Sequence, residues 1–254
     1  MPRQRVPELM DDPAVPRETL DRSLRFIRAV NQKLGGTRAL LAPLERWARD
    51  HDTARPFTLL DLGTGSADIP VAAVRWARQR GIDLRVTAVD NHPTTLDLAR
   101  EHIEQELGSA DPNRTGITLL RADALTLTDR LQPQSFDAAH AGMFIHHLDE
   151  LPALTALRVM DRLATRGLVW NDLLRSTLAK LGSVIITLNA DPTVKHDARV
   201  SVRGSFTPKE AMSLAKRAGW RTPRIRISIL HQRFTVLSEK WGPIGNPILT
   251  EDRS

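Results

Sequence analysis

One short segment constrains this chain more than any other. Leu59-Leu60-Asp61-Leu62-Gly63-Thr64-Gly65-Ser66-Ala67-Asp68-Ile69-Pro70 runs from an apolar stretch through a Gly-x-Gly turn into the start of a helix. An apolar run bounded by turn residues reads as a strand buried on both faces. Glycines at 63 and 65 permit backbone geometry, and a ligand approach to the helix amides, that a side chain would block. A tight turn with no ligand is the competing reading, and Gly-x-Gly alone does not exclude it.

The pattern around this segment alternates. Strands are expected at Thr58–Leu62, Leu84–Asp90, Ile117–Asp123, Phe136–Met143, Leu168–Asn171, Ile225–Leu230 and Arg233–Ser238. Helices are expected at Ile69–Arg80, Thr94–Leu107 and Leu151–Thr165, closed by Gly81, Gly108 and Gly167 in turn. Alternation of this kind makes an α/β fold with a largely parallel sheet and helices on both faces. The last two strands are separated only by His231-Gln232, which predicts a hairpin and one antiparallel edge strand. Thr207-Pro208-Lys209-Glu210 marks a helix start, with a cap, Pro at the first position and Glu at the third.

Ahead of this core, residues 1–56 read as a helical appendage or lid. Leu20, Leu24, Ile27 and Val30 form one helical stripe that stops at Gly35-Gly36. Leu40, Leu41, Leu44 and Trp47 form a second; Pro43 within it predicts a helix that starts near Ala42 or is kinked. The division is then a lid over 1–56, a core over 57–240 with an insertion at 173–206, and a tail at 241–254. No signal peptide or spanning segment is read, so the expectation is a cytoplasmic protein. The chain has no cysteine, which excludes disulfides, thiolate metal sites and cysteine nucleophiles.

A dinucleotide fingerprint needs a small residue where Asp68 stands, and a carboxylate at the helix start opposes a diphosphate. A ligand with a positive centre and no phosphate, such as S-adenosylmethionine (AdoMet), suits it better. Leu59–Asp68 resembles the first motif of the class I AdoMet-dependent methyltransferases, with Ala67 where a third glycine is common. Val86–Asp90 ends in an acid suited to both ribose hydroxyls. Leu120–Ala124 resembles the family's adenine-contacting segment, and Phe136–Met143 with Phe144–Leu148 resembles the motif beside the methyl-transfer site. The resemblance covers roughly Phe57 to Ser238. It implies a doubly wound, Rossmann-like, seven-stranded sheet. It also implies cofactor contacts from Asp61, Gly63, Thr64, Gly65, Asp68, Asp90, Asn91, Asp123, Ala124 and Ala141, with S-adenosylhomocysteine as product.

The acceptor is narrowed by what is missing. The Asn/Asp-Pro-Pro-aromatic run of amino-type base methylators is replaced by Ala141-Gly142-Met143-Phe144. No carboxylate occurs between Asp137 and Asp149, so a metal-free site is expected. His146 and His147 are the acid–base candidates, because an imidazole titrates near neutrality. Substrate-side candidates are Asn31, Asn171, Asp172, Arg175, His196 and Arg203; the last two lie in the insertion, together with Asp197 and Ser201.

Glu8-Leu9-Met10-Asp11-Asp12, the Asn31–Gly36 helix end and the long insertion resemble bacterial small-molecule methyltransferases related to the ubiquinone/menaquinone group. That resemblance implies O-methylation of a phenolic or enolic, polyketide- or quinone-like acceptor, with ring C-methylation as the alternative. It leaves a monomer and a homodimer open.

Two other function classes compete, an RNA methyltransferase and a non-catalytic AdoMet-binding scaffold. The chain has 36 basic against 30 acidic residues, which raises the prior for anionic partners. That excess concentrates in 199–226, where eight Lys and Arg face the single acid Glu210, whereas 57–198 holds fourteen basic and eighteen acidic residues. Nucleic acid is therefore disfavoured. The basic segment reads as a solvated helix face or as a dock for an acidic carrier or membrane surface.

Overall fold

The computed structural model describes residues 2–49 and 51–240. The tail expected at 241–254 lies outside the described residues. Seven strands form one sheet in the order β3-β2-β1-β4-β5-β7-β6. They are β1 Phe57–Leu62, β2 Leu84–Asp90, β3 Ile117–Arg121, β4 Phe136–Gly142, β5 Ala164–Leu173, β6 Arg224–Ser228 and β7 Arg233–Glu239. Strands β1 to β5 are parallel. β7 runs antiparallel to both β5 and β6. The antiparallel strand of the expected hairpin thus lies one place in from the edge, and β6 closes the sheet.

The described helices are α1 Arg17–Lys33, α2 Gly36–Arg49, α3 Asp68–Arg78, α4 Pro93–Leu107, α5 Pro112–Thr115, α6 Glu150–Leu163, α7 Thr177–Ile186, α8 Pro192–Gly204 and α9 Pro208–Arg217. Strand alternation divides the core between the sheet's two faces. Phe57 and Leu59 of β1 pack with α2, α3 and α4. Leu60 and Leu62 turn to the other face, with α6 and α9. No described helix is long and apolar enough to cross a membrane.

Strand and helix ends shift by a few residues from expectation, and three places are instructive. Gly36 opens α2, which continues through Pro43, so its second half is not a separate start. Burial of Leu40, Leu44 and Trp47 on the sheet offsets the hydrogen bond that proline cannot donate. The helix expected to close at Gly167 ends instead at Leu163, and Gly167 lies within β5. A Cβ there would come within 2.1 Å of the Trp47 ring, so this glycine serves close packing rather than helix termination. Finally, the insertion folds as two helices, α7 and α8, packed on each other and reaching α1.

Candidate active site

The carboxyl ends of β1, β2 and β4 open into a cleft of about 380 Å³, within the roughly 300–1,000 Å³ usual for ligand and cofactor pockets. Its turn is built as the glycines require: Gly63 has φ +64° and Gly65 φ +54°. A Cβ on Gly63 would meet the Phe144 ring at 2.4 Å. Ala67, the α3 cap, holds the left-handed region as well, at φ 57°, which accounts for glycine being usual at that motif position.

Carboxylates line the cleft. Asp61 accepts from the Thr64 hydroxyl at 2.7 Å, and its other oxygen lies 2.6 Å from His140 Nδ1. Asp90 accepts from the Gly65 amide at 3.1 Å and the His92 amide at 3.0 Å; burial outweighs both and raises its pKa. Burial also raises Asp68, against the Asn31 amide that donates to it at 3.0 Å. Asn31 in turn accepts from buried Arg233 at 3.0 Å, so α1 is tied to the glycine turn on one side and to β7 on the other. Asn91, Asp123 and Ala124 complete the wall. Asp123 is exposed and uses one oxygen to accept from the Leu125 amide at 2.8 Å. Ala141 does not reach the cleft: it is fully buried in β4, beneath α6.

A second cavity, of about 190 Å³ and almost wholly apolar, adjoins the first. Phe26, Ile27 and Val30 of α1, Ala179, Ser183 and Ile186 of α7, and Val194 and Val202 of α8 wall it. Its polar lining is Glu8, His146, His147, Asp197 and Ser201 at one end, with Ser23, Ser183, His231 and Gln232 elsewhere in the wall. Met10, Ile27, Met143 and His147 line both cavities. Met143 holds a left-handed backbone, φ 55°, at the end of β4, an uncommon conformation for its residue type.

Both histidines are oriented by carboxylates. His146 Nδ1 lies 2.6 Å from Asp172 Oδ1, while its Nε2 is 3.4 Å from Glu8 Oε1 without hydrogen-bond alignment. Burial pulls His146 down, but Asp172 and Glu8 outweigh it and raise it to about 10. His147 Nδ1 lies 2.8 Å from Asp11 Oδ2, and its Nε2 lies 3.9 Å from Glu8. Burial opposes the charge on His147 too, yet Glu8 and Asp11 leave its pKa raised. Burial pushes Glu8, Asp11 and Asp172 up, and the histidine charges more than reverse it, so all three lie below the ordinary range. Glu8 also accepts from the Ser201 hydroxyl. Among the described residues, Glu8, His146 and His147 are the group that could hold a metal ion, with three ligand atoms within 4.8 Å of one another.

The remaining substrate-side candidates lie elsewhere. Asp172 is fully buried and reaches the cavity only through His146. Asn171 faces a groove on the α2 side of the sheet. Arg175 is buried, donating to the Ser205 carbonyl and to Glu210, and so stitches the insertion to α9. His196 and Arg203 do not line either cavity; their α8 neighbours Asp197 and Ser201 do. Asp197 accepts from the Leu9 and Met10 amides, which holds the N-terminal segment across the cavity. Glu8, Asp11 and His140 are site residues that local spacing did not single out. The helical spacing Val194, Asp197, Ser201 after an Asp191-Pro192 start would have found the α8 face.

A family model described as a methyltransferase domain matches residues 59–167. No match was found among curated proteins. Among solved structures, an O-methyltransferase family protein from Burkholderia thailandensis is similar at 19% identity and TM-score 0.55, over 85% of this chain and 61% of that one. A SAM-dependent methyltransferase from Aquifex aeolicus is similar at 17% identity and TM-score 0.53, over 79% and 88%. The CMeT domain of the citrinin polyketide synthase is similar at 12% identity and TM-score 0.57, over 76% and 48%. At these identities the likenesses speak for the fold. The matched segment, residues 59–167, carries the glycine turn and the acid-lined cleft, and it matches a methyltransferase domain on a fold that SAM-dependent methyltransferases share.

Proposed function

We propose that this enzyme works in the cytoplasm, transferring a methyl group from AdoMet to the hydroxyl of a small apolar acceptor, a phenolic or enolic compound of polyketide or quinone type, without a metal. The observation that carries the reading is His147, which faces the acid-lined cleft and the apolar cavity at once. The cleft suits AdoMet on its chemistry: carboxylates for a cationic ligand, Asp90 for ribose hydroxyls, and a buried His140 Nε2 with no hydrogen-bond partner among the described residues. When bound, AdoMet supplies an electrophilic methyl group on a sulfonium.

The chain's own residues supply alignment and proton removal. Aliphatic side chains of α1, α7 and α8 exclude water and hold the acceptor's apolar body. With AdoMet bound, His147 would take the acceptor's hydroxyl proton while the sulfonium would give up its methyl group to that oxygen, the products being the methyl ether, S-adenosylhomocysteine and protonated His147. Asp11 fixes the His147 ring. His146, kept protonated by Asp172 and Glu8, places positive charge beside the developing phenolate.

The test is incubation with labelled AdoMet and an alkyl-substituted phenol, with and without chelator. A methyl ether formed equally in both supports the reading. A ring-methylated product favours C-methylation, and activity restored only by added metal assigns Glu8, His146 and His147 as ligands instead. Activity on RNA that falls steeply with salt would overturn the small-molecule reading.

A further inference from the structure

The apolar cavity opens beside an apolar surface that none of the described residues covers. Leu178, Leu181, Ile185 and Leu188 follow one another at steps of three, four and three along α7 and the turn after it, and each is more than half exposed. The β6–β7 turn adds Ile229 and Leu230, the latter 87% exposed. These two elements are joined, because the Ser176 hydroxyl donates to the Gln232 side chain and the Leu174 amide to the Gln232 carbonyl. Both also wall the cavity: Ile186 and Leu230 line it while remaining about half or more exposed. Exposed patches of this extent mark interaction sites.

The segments that carry the patch are cationic, and Asp191, just past Leu188, is ion-paired with Arg22. Residues 173–190 and 211–238 contain no Asp or Glu. Lys180 on α7, Arg226 on β6 and Arg38 on α2 make no ion pair among the described residues. Arg38 and Arg226 share a groove of about 360 Å³ with Ile227 and His231, so the cations adjoin the apolar turn. A second copy of the chain meeting this face symmetrically would set cation against cation, with no carboxylate on 173–190 or 211–238 to answer. The patch is aliphatic throughout, without the Trp, Tyr or Met that anchor protein partners. Aliphatic side chains flanked by Lys and Arg are what an anionic bilayer surface receives.

We infer that α7 and the β6–β7 turn dock the enzyme on an anionic lipid membrane, setting the mouth of the apolar cavity against the bilayer. The meaning of that placement, loading of an apolar acceptor from the lipid phase, rests on the acceptor class proposed above; the docking itself does not.

The experiment is cosedimentation of the full chain with vesicles of mixed phosphatidylglycerol and phosphatidylcholine, beside vesicles of phosphatidylcholine alone. Binding at least about tenfold stronger to the anionic vesicles, and weakened by salt, is expected. Leu181→Asp/Ile185→Asp should reduce it at least tenfold, and Lys180→Glu/Arg226→Glu should abolish the preference for anionic lipid. AdoMet affinity should hold in both variants, which guards against misfolding. Absence of vesicle binding, or binding indifferent to these substitutions, overturns the inference. So does a dimer by light scattering that Leu181→Asp/Ile185→Asp dissociates, or retention by an acidic carrier protein, when vesicles are not bound. Methylation of a short, water-soluble phenol is expected to be unchanged in the variants, so the docking and the reaction fail independently.

Discussion

His147 Nδ1 and Asp11 Oδ2 lie 2.8 Å apart although 136 residues separate them in the chain. The contact joins the N-terminal segment to the turn after β4, so the acid–base pair exists only when that segment is in place. Asp11 helps raise the His147 pKa, and a base with a raised pKa stays protonated until the pH exceeds it. Asp11→Asn should therefore move the acid limb of the kcat/KM profile to lower pH. It should also lower kcat about tenfold, a part of the roughly 10²–10⁴-fold that a positioned base supplies. A pH–rate series on both proteins checks it, and an unmoved limb would separate Asp11 from the base.

Stability should respond to pH through His146. Its folded-state pKa, about 10, lies above the ordinary 6.5. The stabilisation is thus fully present below about pH 6.5 and is lost as pH rises through about 10. Asp172 shifts the other way, so its contribution is present above the ordinary 3.8 and is lost on acidification. Calorimetric Tm should fall between pH 7 and 10 in the native protein. His146→Gln should start lower, because Asp172 loses its buried partner, and should show a shallower alkaline decline.

Gly63→Ala combines a left-handed backbone with a Cβ 2.4 Å from the Phe144 ring. The backbone alone costs about 1–2 kcal/mol. Displacement of Phe144, which lines the cleft, should weaken AdoMet binding as well. Denaturant midpoints and calorimetric titration should move together.

Ala67 gives the contrasting case. Ala67→Gly relieves a left-handed alanine by about 1–2 kcal/mol, but gives up a buried methyl worth about 0.8 kcal/mol and adds unfolded-chain freedom. The net change should lie within about 1 kcal/mol of zero. Ala67→Val, β-branched in the same conformation, should destabilise by about 2 kcal/mol or more, readable by urea denaturation.

The parts of the fold legible in the sequence are those encoded by local pattern. The strand at Leu84–Asp90 has the bounds its residues predict, and the Thr207 helix has its capping box, because both signals lie within a few neighbouring residues. The glycine turn predicted the cleft for the same reason. What escaped was long-range. Glu8 meets Ser201 and His146 across more than a hundred residues, and no spacing rule joins them. His140 was visible in its motif, but its bond to Asp61 depends on β1 and β4 lying side by side in register. The run Leu178–Leu188 has apolar residues around most of the helix, so the sequence alone does not separate the exposed stripe of α7 from its buried side. Gly167 reads as a helix stop until Trp47 is seen packed on it. Glu8, which the fold brings to His146 and His147, is far in sequence from the fourth- and fifth-strand carboxylates on which the metal-free expectation rests.

His147 stands between two cavities, the acid-lined one proposed for the methyl donor and the apolar one proposed for the acceptor. The direct measurement is the single-turnover rate of methyl ether formation from an alkyl-substituted phenol in the native enzyme and in His147→Gln, with AdoMet affinity measured alongside. A fall of about 100-fold or more at unchanged AdoMet affinity is expected. A His147→Gln enzyme that methylates at the native rate would contradict it.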